Sequence, residues 1–295
     1  MRHEVIRRIA LLLALCAAAT GCSSGPAVSQ GSLQVTVQNP PPPPRGALVL
    51  GGESGKRAVA LAVGKGKLTA TVLSPEGGPQ SGLKVSFVTG SRTIPAKRCG
   101  LGCYSAAAPA APRVVVKLNG SPPVAFSLPA RPRPAAKIVA RAARATRALR
   151  SLVYTESLRS GPTGGLLTTW SLKAPNEVEY RIKGGADAVV LGTKRWDRDH
   201  PGARWRRSQQ LPALRVPQPA WGAVATNAYV LRDGALRGKP VWIVSFANPS
   251  TPAWFTAWID KQSSLPLQLR MTAAAHFMFH HYLAFNQPLT IRPPK

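Results

Sequence analysis

The feature that most limits what this chain can fold into is its punctuation. Short apolar runs rich in β-branched residues are cut at close intervals by glycine, proline and asparagine. In the N-terminal half the runs are residues 59–63, 68–73, 83–88 and 114–118. Several alternate apolar with polar residues, as a strand with one buried face requires. Gly64-Lys65-Gly66, Pro75-Glu76-Gly77-Gly78 and Asn119-Gly120 supply the turns. Short strands at near-regular spacing predict an immunoglobulin-like β-sandwich over residues 46–128, with Cys99 and Cys103 in a loop at one end.

Two proline-rich segments divide the sequence: the polyproline run 40–44 and residues 129–134. Both read as stiff linkers, and the stretches they bound have single-domain lengths. Residues 135–150 carry the clearest helical period, with Ile138, Ala142, Ala145 and Leu149 on one face and Lys137, Arg141 and Arg144 on another. That basic side is either solvated surface or a face for anionic headgroups. Strand-like runs follow at 166–172, 178–182, 188–191, 241–246, 254–259 and 267–271, with turns expected at Asp187, Asp233-Gly234 and Asp260-Lys261. One helix followed by a long antiparallel meander predicts a sheet curled around that helix, a half-barrel over 135–295. The expected class is mainly β, α+β.

The first 21 residues read as an export signal. Arg2, Arg7 and Arg8 precede an apolar run too short to span a bilayer comfortably. Ala19-Thr20-Gly21-Cys22 resembles the bacterial lipobox, which implies acylation of Cys22 and a lipidated tether over 22–45 leading to the body. The rival is ordinary cleavage after Ala17-Ala18-Ala19. Either way the body is expected outside the cytoplasmic membrane, held in the first case by a lipid anchor. Removing residues 1–21 lowers the net charge only from +28 to +26. So basic a surface attracts polyanions. For an exported protein these are anionic lipid or a wall polymer rather than nucleic acid, unless the arginines are simply solvated. Cys99 and Cys103 in Cys99-Gly100-Leu101-Gly102-Cys103 suit a disulfide in an oxidising compartment, the alternative being a thiolate pair for a soft metal.

Two resemblances add to this. Residues 169–178 (Thr169-Trp170-Ser171-Leu172-Lys173-Ala174-Pro175-Asn176-Glu177-Val178), together with Gly192-Thr193-Lys194-Arg195-Trp196-Asp197, Trp258-Ile259-Asp260, Leu265-Pro266-Leu267 and the closing 286–294, resemble the LolA/LppX-like lipoprotein-carrier group. That resemblance implies a half-barrel with room for an apolar or lipid-like ligand. Leu48-Val49-Leu50-Gly51-Gly52-Glu53, Leu73-Ser74-Pro75-Glu76-Gly77-Gly78, Gly82-Leu83-Lys84-Val85 and the Cys99–Cys103 segment resemble the extracytoplasmic β-domain of actinobacterial copper-resistance proteins of the CopC/CopD and YtkA-like kind. The N-terminal histidine that such domains use as a ligand is missing.

Catalytic chemistry finds few residues to work with. Ten carboxylates remain after residue 21, thinly spread, and Asp197 and Asp199 sit among arginines as a charged loop. There is no phosphate loop or dinucleotide fingerprint, and no serine nucleophile elbow in the body of the chain. A non-enzymatic binding protein is therefore expected. One constellation offers copper chemistry: His276-Phe277-Met278-Phe279-His280-His281, with Met271 nearby. On a strand His276, Met278 and His280 share a face, and imidazole with thioether suits Cu(I). A strand rises about 3.3 Å per residue, so one ion could use Met278 with either histidine but hardly all three. On a helix the two histidines would pair at i, i+4 without Met278. Packing inside a curled sheet explains the same residues. Trp242, Phe246, Trp254 and Trp258 are candidate linings for an apolar pocket, or plain core.

Overall fold

The computed structural model describes residues 39–295, apart from 223 and 249. The expected signal, Cys22 and most of the tether lie outside the described residues.

The first half forms two antiparallel sheets. One contains β1 (Leu48–Ser54), β2 (Arg57–Gly64), β3 (Lys67–Leu73), β6 (Lys97–Gly100) and β7 (Cys103–Ala107), in the order β1-β2-β3-β7-β6. The other contains β4 (Val85–Thr89), β5 (Arg92–Pro95), β8 (Arg113–Leu118) and β9 (Val124–Ser127), in the order β5-β4-β8-β9. Leu61, Leu68, Val72, Phe87, Val114 and Val116 fill the space between them, all fully buried. This is the expected sandwich. Cys99 and Cys103 are disulfide-bonded across the β6–β7 hairpin.

The second half is a single large antiparallel sheet with one helix. Its elements are β10 (Arg133–Pro134), α1 (Ala136–Arg147), β11 (Ser151–Arg159), β12 (Leu166–Lys173), β13 (Glu177–Ile182), β14 (Asp187–Leu191), β15 (Lys194–Arg198), β16 (Arg206–Gln209), β17 (Thr226–Leu236), β18 (Lys239–Asn248), β19 (Ala253–Asp260), β20 (Pro266–Ala273) and β21 (His276–Phe285). The twelve strands run β10-β17-β18-β19-β20-β21-β11-β12-β13-β14-β15-β16. The edges are blunted by Pro134 in β10 and by the wholly exposed Arg-Arg-Ser-Gln of β16. The proline-rich segment read as a linker thus contributes a short edge strand, with Arg133 opposite Val230 and Pro134 opposite Tyr229.

Alanine, the best helix former, dominates α1, and Arg144 and Arg147 in its last turn complement the helix dipole. The helix is shorter than expected; Ala142 and, just past its end, Leu149 are buried as expected, but Val139, Ala143 and Thr146 complete the buried face while Ile138 and Ala145 are only half-buried. Thr146 joins that face because its hydroxyl donates back to the Ala142 carbonyl at 2.9 Å, leaving only its methyl to pack. A second correction concerns Asp233-Gly234, which lies inside β17. The turn falls at Arg237-Gly238, where both residues have positive φ.

Strands β1, β2 and β3 of the first sheet are covered on both faces. Their inner face packs into the sandwich. Their outer face, with Val49, Ala58, Ala60 and Leu73, packs on Ala247, Trp254 and Phe277 of the large sheet. This double burial explains why β2 reads as a nearly continuous apolar run, while in β3 the buried Thr69 and Thr71 alternate with Leu68, Ala70 and Val72. Gly51 marks the closest approach. A Cβ there would lie 2.8 Å from the Trp254 Cβ and 2.9 Å from the Thr272 Cβ. Beside it Glu53 accepts hydrogen bonds from Arg159 at 3.0 Å and Arg270 at 3.2 Å, joining the sandwich to β11 and β20. The polyproline segment lies in a shallow cleft with Thr71, Asn248, Pro252 and Trp254. Asn227 donates to the Pro44 and Ala47 carbonyls just beyond it.

Candidate functional site

The large sheet has two unlike faces. The sandwich covers part of the convex face. The other face receives α1, and a long connection from β16 to β17 crosses it, bringing Trp221 edge-on against Phe246 at 5.4 Å. A twelve-residue helix is about 18 Å long, whereas twelve strands span on the order of 50 Å. The helix therefore covers only part of this face.

Register defines what the rest presents, because directly opposed residues share a face. One row runs Leu166–Leu158–Met278–Met271–Phe255 across β12, β11, β21, β20 and β19. Leu166, Leu158, Met278 and Met271 are only half-buried, while Phe255 is buried and stacked on Phe246 at 5.2 Å. The next row is Thr168–Glu156–His280–Leu269–Ala257. The row beyond is Tyr180–Trp170–Tyr154–Tyr282. Its rings stack or tilt against one another at 4.9 to 6.0 Å.

Glu156 and His280 are the polar feature of this wall. His280 Nε2 lies 2.9 Å from Glu156 Oε2, and both side chains are almost fully buried. The Tyr154 ring covers the imidazole at 4.9 Å. Burial, reinforced by the Glu156 charge, holds the Tyr154 and Tyr282 phenols well above the usual tyrosine range, so both stay protonated. His280 Nδ1 and Trp170 Nε1 are buried without a hydrogen-bond partner among the described residues. The arrangement is an apolar and aromatic wall with a few fixed polar atoms, the composition typical of small-molecule sites.

Solved structures similar to this chain include the Mycobacterium tuberculosis lipoprotein LppX, at 14% identity, covering 53% of this chain and 97% of that one, with a TM-score of 0.41. LprF from Mycobacterium bovis aligns at 13% identity over 54% of this chain and 95% of its own, with a TM-score of 0.40. A LolA superfamily protein from Nitrosomonas europaea aligns at 12% identity over 55% and 95%, with a TM-score of 0.25. No family model matches the chain, and no curated protein matches it. No helix among the described residues is long and apolar enough to cross a membrane.

The sequence-predicted pocket residues divide between the two faces. Trp242 and Phe246 face the helix, with the Arg141 guanidinium 5.7 Å from the Trp242 ring. Trp254 and Trp258 point the other way, Trp254 beneath the sandwich and Trp258 edge-on to Phe279 at 6.4 Å. The four do not line one cavity. The alternation along β19 predicts this split, with residues 253, 255, 257 and 259 on the helix side.

His276, Met278 and His280 do share a strand face. His276 Nδ1 lies 2.9 Å from the Ala274 carbonyl, and His280 Nε2 is engaged by Glu156. Among the described residues no three of His, Cys, Asp and Glu gather as a metal set. Sequence reasoning missed Tyr154, Glu156, Leu158, Leu166 and Trp170 as one wall. The alternation Tyr154, Glu156, Leu158 was a visible signal, but the strand that carries it reads as ordinary polar sequence until it is paired with β21.

Proposed function

We propose that this chain is a non-enzymatic binding protein of the cell envelope that shelters an apolar or lipid-like molecule on the helix-side face of its large sheet. One observation carries the reading: the apolar row Leu166–Leu158–Met278–Met271 is only half-buried, beside the buried Thr168, Glu156, His280 and Leu269 on the same face. Two adjacent methionines can repack around ligands of varied shape, as thioether side chains do. The export signal and Cys22 expected from the sequence place such a protein outside the cytoplasmic membrane, on a lipid tether.

The test is native mass spectrometry of the purified protein together with titration of a fluorescent fatty-acid analogue. Saturable probe binding is expected, weakened at least tenfold in Met278→Arg, which puts a charge in the middle of the row. No probe binding, and no co-purifying mass in the lipid range, would refute the reading.

A second reading, a copper-binding accessory protein, is favoured by Met271 standing directly opposite Met278 with His276 and His280 on the same face. Two thioethers and an imidazole nitrogen form a soft set for Cu(I). Stoichiometric Cu(I) uptake that is lost in Met271→Leu/Met278→Leu, with no lipid-range mass, would establish this reading in place of the first.

A further inference from the structure

We infer that one rim of the half-barrel is a docking surface for an anionic lipid bilayer. A chain of backbone and side-chain hydrogen bonds gathers four connections at the end of the sheet where α1 runs into β11. Ala174 N–H donates to the Arg150 carbonyl at 2.9 Å, and Gly192 N–H to the Asn176 carbonyl at 3.2 Å. Gln210 N–H donates to the Thr193 carbonyl at 2.9 Å, and Val216 N–H to the Pro175 carbonyl at 2.9 Å. Arg147 closes the set by donating to the Gln218 side chain at 3.2 Å.

This rim presents Arg147, Arg150, Lys194 and Arg215, all exposed. Among the described residues none of the four is ion-paired to a carboxylate, and the nearby Glu177 is held by Lys173. Near the start of the β16–β17 connection stands Leu211, 67% exposed, more so than the other exposed large apolar side chains described. Three arginines and a lysine on the same rim as an exposed leucine form the pattern of an interfacial membrane contact: the cations meet headgroup phosphates and the apolar side chain enters the acyl boundary. A soluble polyanion would be satisfied by the cations and would have no use for Leu211, so the bilayer is the occupant the rim fits. The surface is separate from the Leu158–Met278 row, and its occupation does not depend on a ligand there.

The experiment is vesicle flotation of the purified chain from Ser23 onward, so that neither the apolar N-terminal segment nor an acyl chain on Cys22 contributes. Vesicles of phosphatidylcholine alone are compared with vesicles that also contain phosphatidylglycerol. Binding is expected to require phosphatidylglycerol and to fall with salt. Lys194→Gln/Arg215→Gln should lower partitioning about thirtyfold, and Leu211→Asp about tenfold. All three positions are exposed, and unchanged circular dichroism would show that the fold is intact. Met278→Arg should bind vesicles as the parent does, which separates this surface from the ligand face. Equal binding to both vesicle types, or indifference to the rim variants, would overturn the inference. So would competition by inorganic polyphosphate without any Leu211 dependence, which would assign the rim to wall-type polyanions.

Discussion

Replacing Gly51 with alanine tests the contact that joins the two halves of the molecule. The backbone of Gly51 is ordinary strand, so the new methyl introduces no conformational strain, only volume. That volume has nowhere to go, since the Cβ would sit 2.8 Å from the Trp254 Cβ and 2.9 Å from the Thr272 Cβ. Carbon atoms prefer about 3.5–4.0 Å, so β1 must withdraw from β19 and β20 by roughly 0.7–1 Å. The obstructing atoms are Cβ atoms, fixed to strand backbone, and cannot swing aside as a side-chain terminus could. Overpacking of this kind costs about 1–3 kcal/mol. In a body of this size that lowers the melting temperature by roughly 2–4 °C for each kcal/mol. Gly78→Ala is the matched control, because a Cβ there meets nothing within 4 Å and the residue is not held at positive φ. Urea unfolding of both variants, followed by tryptophan fluorescence, reads the difference. If Gly51→Ala unfolds within about half a kcal/mol of the parent, the sandwich does not rest on the large sheet at this spacing, and the reasoning fails.

Two further outcomes follow from buried polar groups. Removing one member of the hydrogen-bonded Glu156–His280 pair leaves the other buried without a partner, so Glu156→Ala alone should destabilise by about 1–3 kcal/mol. Glu156→Leu/His280→Leu should be less damaging than the sum of the single changes, and a double-mutant cycle showing strict additivity would contradict this. At the β19–β20 turn, burial alone would push the Asp260 carboxyl up. The Ser263 hydroxyl and the Gln262 backbone N–H outweigh it and hold the carboxyl below its usual value. A group depressed in the folded state contributes stability above its unfolded pKa and loses it as pH falls through the folded value. Asp260→Asn should therefore be less stable than the parent near neutrality, with the gap closing under acid conditions. A gap independent of pH would show that the carboxylate charge is not what holds the turn.

The sequence made the strands of the sandwich legible because its turns carry their own chemistry. Gly64-Lys65-Gly66 and Asn119-Gly120 stand where chain reversals occur. Facing was harder to read. The apolar run of β2 carries no alternation that separates core from interface, because both its faces are buried. In α1 the buried face is set by Val139 and Thr146, and a threonine that hides its hydroxyl in the helix does not register as apolar in a periodicity argument. Asp233-Gly234 looked like a turn because those residue types favour one. In β17 they sit inside the strand in regular pairing, Asp233 opposite Trp242 and Gly234 opposite Val241. The Glu156–His280 pair joins residues 124 positions apart, and no local pattern announces a contact set by the closing pairing of β21 with β11.

The way the two halves share the large sheet bears on function. Here Val49, Gly51, Ala58 and Ala60 fix the convex side near Trp254 and Phe277, and Glu53 ties that contact to Arg159 and Arg270. Met278 and Met271 are the residues on either side of that braced region, presented to the opposite face by the same two strands, β21 and β20. The sandwich therefore stiffens the back of the wall proposed to meet the ligand, so that accommodation falls to the thioethers rather than to the strands. Loosening the back, as Gly51→Ala does, should weaken probe binding at the front even though Gly51 lies on the far side of the sheet from the ligand. Probe affinity unchanged in a destabilised Gly51→Ala protein would show instead that the two faces act independently.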